Sequence, residues 1–352
     1  MQDNSNGPSY GYEIQAEIEK YKIKSAKRAF SRTLLAPSVY LLVSSAVIVL
    51  AELVLLIAFG VDGAIKITDS TYYVWIMQVL AAYVIAFPIA YLVLRKIPKA
   101  TRYKTKMSLE EFVVIFFIGH AVMTVGAIIS NTVVEFISAI LGHEVSNAAA
   151  DMIIDAPIWI VVLVAVIIGP IFEELLFRKF FIDRLSVYGD RLAIIVSSIA
   201  FGLFHGNLSQ ILYATAIGFI FGYVYAKTRD IRYSAGLHML LNLVGTIPSL
   251  LMGESAEKME EIFSKELLSA DEIAAYYADI MTVVGVSAVQ YALLAIGIGF
   301  AIYVFKKKLV RVPSLCDMRL PKERTVESVI LNPGAIIFGV IALGEIALSL
   351  FA

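Results

Sequence analysis

Apolar runs alternate along the chain with short polar segments, and the spacing of the two predicts the architecture. A helix needs about 20 residues to cross the hydrocarbon core of a bilayer. Runs at 34–60, 72–95, 110–132, 156–177, 192–205, 208–227, 233–252, 281–305 and 333–352 meet or approach that length, the fifth being short. The pattern predicts an all-α, polytopic integral membrane protein of about nine membrane segments. It divides into an N-terminal segment (1–33), accessory membrane helices (34–155), a core (156–252), an acidic loop (253–280) and C-terminal membrane helices (281–352).

Lysine and arginine set the orientation. Of 29 such residues, 26 fall within 20–32, 95–106, 178–191, 227–232 and 306–324, leaving Lys66, Lys258 and Lys265 for the alternate loops. The positive-inside rule then puts the N-terminus in the cytoplasm and the C-terminus outside, in the cell membrane. Composition agrees, with 59% hydrophobic and 17% charged residues and a mean hydropathy of +0.80. The basic residues are divided among loops rather than pooled into a patch, so the expected surroundings are lipid and no nucleic acid. A lone cysteine, Cys316, excludes an internal disulfide framework and a thiolate metal site. The polar first 33 residues contain no signal-peptide core. Tyr12 to Phe30 reads either as a helix on the anionic inner leaflet or as a solvated tail.

Candidate chemistry starts at Gly169-Pro-Ile-Phe-Glu-Glu-Leu-Leu-Phe-Arg178, where two adjacent carboxylates end a long apolar run. A charge well inside a bilayer costs about 2.5–3.5 kcal/mol on insertion scales, which marks such a pair as functional. At 100° per residue Glu174 shares a helix face with Arg178, acid before base, while Glu173 points elsewhere. Two histidines also sit in polar islands within apolar runs, in Phe201-Gly-Leu-Phe-His205-Gly-Asn207 and His238-Met-Leu-Leu-Asn242. A turn at Tyr188-Gly189-Asp190 folds Glu173 and His205 to similar heights, about 21–24 Å from the turn at 1.5 Å per residue. His238 and Asn242, four apart, share one face. His120 and His143 read as a hydrogen-bonded core histidine and a surface one, and Glu52, Glu135 and Glu345 as snorkelling or paired helix acids.

The ordered set Glu173-Glu174-x-x-x-Arg178, Phe201-x-x-x-His205 and His238-x-x-x-Asn242 resembles the CPBP family, the CAAX-prenyl endopeptidases and bacteriocin-processing intramembrane proteases. The resemblance covers about 157–250. It implies a helical core around an intramembrane cavity open to the cytoplasm, and endopeptidase hydrolysis of a membrane-associated protein or peptide. Glu173 matches the family's catalytic glutamate, His205 its first histidine, and His238 and Asn242 its last motif.

Roles follow from these matches. A poorly solvated carboxylate titrates nearer neutral pH, which suits a general base. Glu173 with His205 would activate water, His238 and Asn242 would stabilise the oxyanion, and Glu174, Arg178 and Phe201 would support the site. This scheme needs no cofactor. Zinc held by Glu173, His205 and His238 is the alternative. A transporter or immunity protein would use the same cluster without hydrolysis, although the chain lacks the paired, interrupted hydropathy halves common in transporters.

Overall fold

The computed structural model describes residues 7–145, 152–153, 156–263 and 269–351, and among these every regular element is helical. Apolar stretches fold this way in lipid because only a helix satisfies its own backbone polar groups within one segment. α1 (Gly7–Thr68) is broken by Gly60, whose φ of 69° lies in the left-handed region. α2 (Thr71–Leu94), α3 (Leu109–Leu141) and α4 (Ile158–Tyr188) follow. Then come α5 (Asp190–Phe204), α6 (Leu208–Thr228), α7 (Ile231–Phe263) and α8 (Ala270–Lys306). α9 (Lys322–Ile330) and α10 (Pro333–Ser349) close the fold.

Seven of these helices are long and apolar enough to cross a membrane, or eight if α9 and α10, bent by 56°, are one broken span. Among the described residues the count is thus seven or eight, beside about nine apolar runs. α5 has only 15 residues, below the length of a crossing, and the 17-residue α10 reaches it only together with α9. Hydropathy registers how apolar a segment is, while crossing also demands length.

Two further expectations change. The polar N-terminal segment is helical rather than an irregular tail, and its residues 12–21 are exposed. It is the first part of α1, and Ala26, Ala29 and Phe30 pack in the main core with Leu176, Phe181 and Leu185 of α4. The acidic loop 253–280, expected as short surface helices, is instead mostly the extension of α7 and α8, with 264–268 outside the described residues.

The five basic segments gather at one end of the bundle. Ser25 Oγ meets Tyr188 Oη at 2.9 Å, the Ala100 N–H donates to the Asp183 carbonyl at 2.7 Å, and Arg102 pairs with Asp317 at 3.0 Å. Buried Arg229 clamps the α4–α5 turn through Asp190 and Ser186. At the same end, hydrogen bonds from Arg232 pull the Asp230 carboxyl down to about 2. This polar clasp fixes the base of the α4–α5 hairpin and of α7, the helices that carry all the candidate residues.

α5 and α6 approach closely at Gly202, where a Cβ would meet Thr215 and come within 2.7 Å of the Ile211 carbonyl. α5 ends at Phe204, Gly206 turns the chain at φ 63°, and the Asn207 side chain caps α6 by accepting from the Gln210 N–H at 2.9 Å.

Candidate active site

Two i→i+5 stretches, Val162–Ile168 and Leu175–Ile182, flank the Glu pair on α4. Such turns insert a residue and leave carbonyls without their usual helical partners. In this register Gly169 donates to Val164 and the next residue, Pro170, has no N–H, so the Ala165 carbonyl is left to accept from Asn242 Nδ2 at 3.0 Å.

Glu174 and Arg178 form the expected i,i+4 pair, Nε to Oε1 at 3.3 Å, with both side chains at 0% exposure. The guanidinium stacks on Phe201 at 4.4 Å and lies 5.3 Å from Phe221. Its three nitrogens make no aligned hydrogen bond, so ion pairing and the aromatic faces hold the charge.

Glu174 is also more than an anchor for its helix. His238 Nδ1 stands 3.3 Å from Glu174 Oε1, and Nε2 stands 3.7 Å from Glu173 Oε2. The imidazole therefore lies between the two acids, stacked on Phe221 at 4.5 Å. Two atoms 3.7 Å apart do not bond well to each other, yet both reach a third atom, such as a water oxygen, at about 2.8 Å.

His205 bonds through Nδ1 to the Phe201 carbonyl at 2.8 Å and packs edge-on against the Phe201 ring. A carbonyl only accepts, so Nδ1 carries a proton, and in the neutral form of the ring Nε2 is then an acceptor. No direct hydrogen bond joins His205 to Glu173, though the glutamate charge reaches the ring.

The folding of α4 against α5 thus brings Glu173, Glu174, Arg178, Phe201, His205 and His238 together. Asn242 shares the face of His238 as expected, and one hydrogen of its amide goes to the Ala165 carbonyl. Among the described residues no group of three or more His, Cys, Asp or Glu side chains is placed to hold a metal ion.

Outside the motifs, Phe221 stacks on His238, and buried Ser234, one turn before His238, donates to the Ile231 carbonyl at 3.4 Å. The Ser234 position was open to an i,i+4 argument; Phe221 carried no signal. A groove of about 340 Å³ runs beside the site, lined by Ile171 and Leu175 of α4 and by Ile231, Ala235 and Met239 of α7. His120 is a core residue bonded to Gln290 at 2.8 Å, and His143 is exposed. Glu52 and Glu135 lie exposed on their helices, whereas half-buried Glu345 approaches Gly206.

A family model described as type II CAAX prenyl endopeptidase Rce1-like matches residues 155–244, a stretch that contains every motif residue above. The matched stretch of this chain is thus similar to that endopeptidase family. Two curated relatives are similar to it. The putative membrane peptidase YdiL of Bacillus subtilis (strain 168) is 27% identical over 198 residues, 56% of this chain and 81% of the relative. The membrane-embedded CAAX protease MroQ of Staphylococcus aureus (strain USA300) is 34% identical over 128 residues, 34% of this chain and 52% of the relative. No solved structure matches. The matched segment corresponds to α4, α5, α6 and the first part of α7, while α1, α2, α3, α8, α9 and α10 lie outside it.

Proposed function

We propose that the protein is an intramembrane endopeptidase that hydrolyses a peptide bond of a membrane-associated protein or peptide without a resident metal. Glu173 is the general base. Water bound beside it gives one proton to the carboxylate and directs the other at His205 Nε2, leaving an oxygen lone pair free to attack. His238, held by Glu174, and the second amide hydrogen of Asn242 stabilise the oxyanion. Glu173 then returns its proton to the leaving amine. The observation that carries this reading is the position of His238, with one ring nitrogen at buried Glu174 and the other beside the more accessible Glu173.

The active end faces the cytoplasm, with the N-terminus inside and the C-terminus outside, because the basic segments gather at the end that holds the α4–α5 turn. Purified protein in lipid, given a library of quenched fluorescent peptides that includes prenylated C-termini and peptide precursors, tests the activity. Cleavage by wild type with none by Glu173→Gln is the expected result. Cleavage by both would remove Glu173 from the chemistry.

A further inference from the structure

Counting the donors available to an oxyanion leaves this site short. Neutral His205 presents an acceptor, one N–H of Asn242 is committed to Ala165, and His238 offers Nε2–H only when its ring carries two protons. Another hydroxyl stands beside the carboxylate.

Tyr83 lies on α2, outside the matched segment. Its ring stacks on Phe172, the neighbour of Glu173, with centroids 4.8 Å apart and planes at 25°. The point where a Gly169 Cβ would sit is 3.1 Å from Tyr83 Oη and 3.9 Å from Glu173 Oε1. Absence of a side chain at Gly169 therefore lets the phenol and the carboxylate approach the same space. Glu173 then has His238 at one oxygen and the Tyr83 side of the site at the other. The Tyr83 hydroxyl has no protein hydrogen-bond partner among the described residues, and the charge of Glu173 reaches it.

We infer that Tyr83 is a further catalytic residue, whose phenol O–H donates a hydrogen bond to the substrate carbonyl oxygen as the tetrahedral intermediate forms. The inference rests on the endopeptidase reading above. It makes the reaction centre a joint product of the matched segment and an accessory helix. Water adds to the carbonyl carbon through its oxygen and Glu173 takes the proton. The carbonyl π pair moves to oxygen, where the tyrosine hydrogen bond meets it without proton transfer.

Tyr83→Phe removes only the hydroxyl and keeps the stack on Phe172, so the fold survives. Steady-state cleavage is measured for wild type, Tyr83→Phe, Glu173→Gln and a control, Tyr91→Phe, whose ring packs on Phe180 farther along α2. The expected result is a fall in kcat of about 10²-fold for Tyr83→Phe. KM and the acidic limb of the pH–rate profile stay unchanged, and Tyr91→Phe stays at the wild-type rate. Gly169→Ala, which sets a methyl against the phenol, is expected to slow wild type but to add little in the Tyr83→Phe background. A wild-type rate for Tyr83→Phe, a change in KM alone, or a displaced acidic limb overturns the inference while a dead Glu173→Gln keeps the endopeptidase reading. Full activity in both Tyr83→Phe and Glu173→Gln overturns both.

Discussion

Replacing Arg178 by methionine removes one member of an ion pair whose two side chains are wholly buried. Glu174 would keep His238 Nδ1 at 3.3 Å, with Ser234 beside it, and nothing else to balance its charge. Breaking a buried pair by deleting one partner costs about 3–5 kcal/mol. Loss of the guanidinium stack on Phe201 and Phe221 adds about 1–2 kcal/mol, which methionine–aromatic contact offsets by a similar amount. The net expectation is about 3–5 kcal/mol, or roughly 6–10 °C in Tm at about 2 °C per kcal/mol for a chain of this size. Adding Glu174→Gln removes the orphaned charge, so the double variant should recover to within about 1–2 kcal/mol of wild type. The assay is a double-mutant cycle by thermal unfolding in detergent, read by intrinsic fluorescence. A single variant melting within about 2 °C of wild type would refute the reasoning. So would a double variant whose cost equals the sum of the singles, because the pair would then have no coupling.

The two neighbouring acids should separate in their effects: Glu173→Gln loses cleavage at unchanged yield and melting, whereas Glu174→Gln loses both, since it holds Arg178 and His238; equal loss of folding in both denies the division. For topology, Tyr103→Cys in a Cys316→Ser background should react with an impermeant thiol reagent only from the cytoplasmic side and His143→Cys only from outside, and the opposite labelling reverses the orientation. Activity should survive prolonged chelation without metal readdition; stoichiometric zinc in the protein, with activity lost on chelation and restored by zinc, would replace the metal-free mechanism. Gly202→Val should lower stability by about 1–3 kcal/mol and slow cleavage, because it drives α5 from α6 and carries Phe201 and His205 with it; wild-type melting would show that the close approach is not needed.

What the sequence determined by itself was local or periodic. The i,i+4 spacing named Glu174 as the partner of Arg178, the rise per residue from the turn at Gly189 put Glu173 and His205 at one height, and the Gly206-Asn207 turn ended α5 where expected. Helix class followed from hydropathy because lipid leaves the backbone few alternatives. Each of these conclusions needs only a regular helix and the length of chain between two residues.

Tertiary structure decided the rest. Hydropathy alone assigned a span to α5, whose 15 residues fall short of a crossing. The meeting of Asn242 on α7 with the Ala165 carbonyl of α4, left without a donor by Pro170, is a contact between two helices that no single helix's periodicity contains. His238 between two acids, Phe221 against both Arg178 and His238, and Tyr83 beside Gly169 are contacts between helices. They depend on crossing angles and on where small residues let backbones approach, quantities set by the packing of several helices at once and absent from the periodicity of any one.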